Sequence, residues 1–195
     1  MNGDSLRWIK RWKKRNAKRR MKARSILQVE PLESRILLSS DRLFYSALAG
    51  SAIDLKLHAD QQDGGKPLLQ LSQYDPLYEK AEIVAQGSLE EINDVVITGS
   101  DKDDRLAIDA SVPIDLPVRF VGGAGEDTLA GPDGDTTWQI TGSNSGSMNG
   151  LFFTDVERLR GGVDNEDTFV FAAGGHLDGG VDGNAGGFDT LVVSE

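Results

Sequence analysis

The chain of 195 residues has no cysteine, which removes disulfide frameworks, zinc-thiolate sites and cysteine nucleophiles at once. No window holds about 20 consecutive apolar residues, so nothing reads as a helix that spans a bilayer. Histidine is almost missing as well. His58 and His176 lie far apart in unlike contexts, and neither a Ser-His-acid arrangement nor a two-histidine metal site stands out. Carboxylates abound, but in an acidic chain abundance alone identifies no glycosidase pair. The expectation is a protein that is not an enzyme.

Charge is present in quantity but unevenly placed. Residues 1–24 carry eleven Lys or Arg against Asp4, a net of +10, so the other residues hold −20 beneath the whole-chain value of −10. Two such opposed parts do not make one uniform surface, and the basic leader has a separate role or is removed. A secretory signal needs an apolar core of about 7 to 15 residues after its positive region, and Gln28, Glu30 and Pro31 interrupt the only candidate. Leu6, Trp8, Ile9 and Trp12 among the basic residues suit an interfacial helix on anionic lipid, or contact with export machinery. A disordered basic tail is the plain alternative. Nucleic acid is disfavoured as a partner, because the rest of the chain would repel a polyanion.

Three segments follow from this reading: a basic leader over 1–40, a capping or linking segment with short strands over 41–93, and a repeat region over 94–195, expected to be a truncated piece of a longer array. In the middle segment, residues 52–58 alternate apolar and polar with period two, residues 61–67 are rich in turn formers, and 68–71 and 82–85 are strand candidates. Residues 43–49 read as a short helix or a linker.

The repeat region carries the strongest pattern. Gly122-Gly123-Ala124-Gly125-Glu126-Asp127-Thr128-Leu129-Ala130 fits G-G-x-G-x-D-x-U-x, with U apolar, at each constrained position. Glycines permit a tight turn, the aspartate sits at it, and the apolar residue starts an inward-facing strand. Looser copies end on Asp104-Arg105-Leu106, Asp167-Thr168-Phe169 and Asp189-Thr190-Leu191. Their aspartates lie 23, 40 and 22 residues apart along the sequence from Asp104 to Asp189, a period of about 20 with one copy remodelled, which suits stacked coils.

The nonapeptide resembles the calcium-binding repeats of RTX (hemolysin-type) exoproteins, and the wider array is similar to segments of giant bacterial surface or secreted proteins. Leu32-Glu33-Ser34-Arg35-Ile36-Leu37-Leu38 resembles the Leu-Glu-Pro-Arg-x-Leu-Leu segment of the LEPR-XLL family, with Ser34 in place of proline. That resemblance implies an N-terminal sorting or processing motif at Leu32, Glu33, Arg35, Leu37 and Leu38, and an extracellular or cell-surface location.

The expected fold is all-β: a right-handed parallel β-helix, or β-solenoid, behind a disordered or helical leader, with a β-sandwich as the alternative. Inward positions would be Val95, Ile97, Leu106, Ile108, Val118, Phe120, Leu129, Trp138, Ile140, Phe152, Phe169, Phe171, Leu191 and Val193. The expected metal residues are Asp103, Asp104 and Asp127 on one side and Asp164, Asp167, Asp182 and Asp189 on another, with calcium as the cation. Calcium wants six to eight oxygens, and only one copy is perfect. The competing explanation is that Asp favours such turns because it bonds local amides. The functional expectation is a structural or adhesive module that meets cell-surface or matrix glycans or proteins. The alternatives are a β-helix polysaccharide lyase, hinted at by Arg158 and Arg160, and a ligand-free spacer.

Overall fold

A computed structural model describes residues 35–39, 41–60 and 65–194. Residues 1–34, with Leu32 and Glu33, lie outside them, whereas the end of the expected disordered or helical leader, residues 35–39, is a strand. The described residues are all-β, without a helix. In chain order the strands are β1 (Arg35–Ser39), β2 (Arg42–Ser46), β3 (Asp54–Asp60), β4 (Leu68–Asp75), β5 (Lys80–Ser88), β6 (Asp94–Thr98), β7 (Arg105–Ile108) and β8 (Val118–Val121). They continue as β9 (Thr128–Ala130), β10 (Thr137–Gly142), β11 (Ser145–Met148), β12 (Leu151–Thr154), β13 (Arg158–Arg160), β14 (Thr168–Phe171), β15 (Gly180–Asp182) and β16 (Thr190–Val193).

These strands form two sheets. The nine-stranded sheet has the order β1-β2-β6-β8-β12-β11-β10-β14-β16, and the seven-stranded sheet β15-β13-β9-β7-β3-β4-β5. From β5 onward the chain crosses between sheets at each connection, except through β10, β11 and β12, which stay together. Residues 43–49, read as helix or linker, instead supply β2, which pairs in parallel with β6.

The parallel β-helix expectation is overturned. Both sheets are mixed: β1–β2, β3–β4, β4–β5, β10–β11 and β11–β12 pair antiparallel. The reason is turn chemistry. Asn149 and Gly150 have φ of 45° and 79°, the values of a two-residue I′ turn, whose twist matches a hairpin and reverses the chain. Asn144, at φ 47°, stands at the reversal between β10 and β11, where the register shifts between Ile140 and Gly142. A period-20 count sees only the spacing of the acidic corners and not these reversals.

Between the sheets lies one cluster of buried apolar side chains, drawn from Leu43 through Leu177. Alternation along each strand builds it: Leu55 and Leu57, Val95 and Ile97, Val118 and Phe120, and Trp138 and Ile140 all face inward. Trp138 stacks on Phe169, with ring centroids 5.9 Å apart and planes at 14°, and meets Phe153 edge-on at 6.4 Å.

Three of the expected inward positions are corrected. Phe152 is 54% exposed and Phe153 is buried, because the Asn149–Gly150 hairpin sets the register of β12 one residue away from the alternation assumed. Leu191 and Val193 are 59% and 69% exposed, since β16 is the edge strand of its sheet and has a neighbour on one side only.

Phe153→Ala should therefore destabilise the fold by about 3 to 5 kcal/mol. Phe152→Ala should stay within roughly 0.5 kcal/mol, as surface changes do. Urea unfolding of the two variants checks the phase of β12.

Candidate functional site

The aspartates of the repeats stand one residue before a strand: Asp104 before β7, Asp127 before β9, Asp167 before β14 and Asp189 before β16. There each carboxylate performs the same operation on the neighbouring strand. Asp104 Oδ1 accepts the Ile53 N–H at 2.8 Å, Asp127 Oδ1 that of Asp104 at 2.7 Å, Asp167 Oδ1 that of Thr136 at 2.9 Å, and Asp189 Oδ1 that of Asp167 at 3.1 Å. The following backbone N–H then returns the contact: Arg105 donates to Ile53 O, Thr128 to Asp104 O, Thr168 to Thr136 O and Thr190 to Asp167 O, each at 2.8 Å. Both backbone groups of the neighbour are thereby satisfied where the regular ladder has yet to begin, as buried polar groups require.

Glu157 continues the column. Its Oε2 accepts the Asp127 N–H at 2.8 Å, and Arg158 N donates to Asp127 O at 3.0 Å. An aspartate-based repeat pattern does not include this residue. The pattern acid-x-Leu, present as Glu157-Arg158-Leu159, was the available signal.

The second carboxylate oxygen folds the turn onto itself. Asp104 Oδ2 accepts the Ser100 N–H, and Asp167 Oδ2 accepts that of Gly162 at 2.9 Å. This explains the leading glycines. A Cβ on Gly99, Gly122, Gly161 or Gly183 would overlap the carboxylate of Asp104, Asp127, Asp167 or Asp189 respectively. In the nonapeptide, Gly122 is thus demanded by close approach, whereas Gly123 and Gly125 hold φ of 114° and 134°, where only glycine is unstrained.

The other expected metal residues are placed as follows. Asp103 Oδ1 accepts the Glu126 N–H at 2.9 Å, beside Asp104 and Asp127. Asp164 takes φ 54° and lies against Gly186, in the turn next to Asp189. Asp182, on β15, accepts from Asn184 N at 2.9 Å and faces Arg160 Nε at 3.5 Å. The structure therefore joins Asp103, Asp104 and Asp127 in adjacent turns of the seven-stranded sheet. It joins Asp164, Asp167 and Asp189 at the nine-stranded sheet and sets Asp182 apart on β15.

Arg158, one of the two arginines that hinted at a lyase, pairs with Glu126, and Arg160 is bound by Asp182 and by Asn184 Oδ1 at 2.8 Å. His176 Nε2 contacts Asp178 Oδ1 at 2.8 Å. Asn144 Nδ2 links Asp178 and Glu157 at 2.9 Å each. Hydrogen bonds from Asn144 and His176 hold the Asp178 carboxyl below its usual range. Of the sorting motif, Arg35, Leu37 and Leu38 fall on β1, opposite Ser46, Phe44 and Leu43 of β2.

As a calcium site the donors are mostly spent. The oxygens of Asp104 and Asp167 are engaged by amides and hydroxyls, and among the described residues no three acids or histidines converge on one point. Among the buried carboxylates, Asp127 is the exception. It is fully buried, and its Oδ2 has no hydrogen-bond partner. Burial raises its pKa to about 6, with the charges of Asp104, Glu157 and Asp103 adding to the rise, against the lowering bond from the Asp104 N–H.

Compared with family models, curated proteins and solved structures, the chain finds no match.

Two outcomes follow. The raised Asp127 pKa means that ionisation opposes folding: the penalty is absent below the ordinary carboxylate value of 3.8, grows as pH rises, and is complete above about 6. Asp127→Asn, which keeps the acceptor for Asp104 N–H, should add about 1 kcal/mol at pH 7 and nothing near pH 3.5. Asp167→Ala strips partners from Thr136 and Gly162 and should cost about 3 kcal/mol at pH 7. Thermal unfolding across pH measures both.

Proposed function

We propose that this chain is a non-catalytic structural or adhesive module of a bacterial secreted or cell-surface protein. The observation that carries the reading is the carboxylate ladder: the residues that make the repeats distinctive are used to join strand to strand. They build a scaffold and leave the outer faces of the sheets to vary. The LEPR-XLL-like segment that runs into β1 supports a location outside the cell, and stabilisation without cysteine is compatible with it. The test is protease shaving of intact bacteria that produce the full chain. The expected result is loss of the protein from intact cells, whereas protection until lysis would remove the surface assignment.

A second reading, in which calcium orders the module, rests on one atom, Asp127 Oδ2. A cation there would relieve a buried carboxylate beside Asp103 and Glu157. Extracellular calcium modules bind at about 10⁻⁴ to 10⁻³ M, so calcium at about ten times such a constant should raise Tm by the equivalent of about 1.4 kcal/mol. Asp127→Asn should abolish the rise. An identical Tm in calcium and in chelator would dismiss calcium and leave the structural module intact.

A further inference from the structure

We propose that the outer face of the seven-stranded sheet is a groove that binds an extended, uncharged polysaccharide. The proposal rests on the adhesive reading above and names its ligand.

The groove has a volume of about 1020 Å³ and crosses β3, β4, β5, β7, β9 and β13. Compact ligand pockets occupy about 300 to 1,000 Å³, so this open trough suits a chain better than a single small molecule. Its floor follows from strand register. On the outward-facing positions, Lys56 lies beside Ala107, Ala107 beside Ala130, and Ala130 beside Arg160. Two alanines in the middle keep the floor low, and long side chains rise at each end. The span from Lys56 to Arg160 is three strand spacings, about 14 Å, roughly the length of three sugar rings. Residues 109–111 and 131–133 form the wall.

The electrostatics choose among ligands. Each cation in the groove is already matched: Lys56 Nζ to Asp109 at 2.6 Å, Arg105 to Asp54 at 3.0 Å, and Arg160 to Asp182 and Asn184. Burial alone would raise the Asp109 pKa, but Lys56 and Ser111 hold it down to about 2, so that pair stays charged. An anionic ligand would have to displace these acids from an acidic chain. Sugar hydroxyls instead donate and accept together, and fixed ion pairs present an acceptor beside a donor. Charge-assisted hydrogen bonds of this kind are the strong ones. At the β4 side of the trough, Tyr74 is 42% exposed and offers an aromatic face, which attracts the C–H edges of a sugar ring.

The experiment is calorimetry and affinity electrophoresis of the full chain with cellohexaose, xylohexaose and chitohexaose, and with hexagalacturonate as the charged comparison. The expected result is saturable binding of at least one neutral hexasaccharide, insensitive to salt. Ala107→Phe, which fills the floor, and Tyr74→Ala should each weaken it at least tenfold at unchanged Tm. Should Ala107→Phe fail to fold, Tyr74→Ala and Arg105→Gln decide, both being on the surface. Binding of none of the three neutral probes, salt-dependent preference for hexagalacturonate, or wild-type affinity in the folded variants would overturn the proposal. A chain that is shaved from intact cells yet retains no hexasaccharide would sink the groove and leave the module standing.

Discussion

One contact organises this molecule: a carboxylate just ahead of a strand accepts the backbone N–H of the equivalent residue on the neighbouring strand. At that point the chain is leaving a turn and no regular ladder is available, so an amide would otherwise be buried unpaired, at a cost of about 1 to 3 kcal/mol. An acid solves this with one oxygen and closes its own turn with the other, as Asp104 and Asp167 do. Glu157 shows that the geometry selects a carboxylate and not a particular chain length.

The same contact explains the compositional oddities. Glycine precedes each of the four aspartates because the carboxylate occupies the space of its Cβ. The acidity of the scaffold is structural, with repeated anions held by amides, and its cost surfaces where the hydrogen bonding is incomplete, at Asp127. Because the corners are committed to strand joining, it is the sheet faces that the proposed recognition would use. The outer face of the seven-stranded sheet combines alanine, paired charge and one aromatic.

Much of the strand content was legible. Period-two alternation located β3, β6, β7, β8 and β10, and the Asp-x-(Leu/Phe) signature located the starts of β7, β9, β14 and β16. The topology was less so. Asn149-Gly150 is a strong hairpin signal that a fixed period does not contain, and it decides the phase of β12 and breaks the parallel-only fold. Leu191 and Val193 alternate like core residues, and only their place on an edge strand exposes them. The candidate metal set grouped acids by spacing, and the structure shows most of their oxygens already taken by amides.

Local chemistry in the chain was sufficient to specify strands, turns and the acid at each corner, because backbone preference and side-chain alternation act over a few residues. It could not specify which strand lies beside which, nor whether an aspartate faces an amide, a cation or water. Those outcomes depend on groups 22 to 52 residues apart brought within hydrogen-bond reach, and only packing around the shared core decides them.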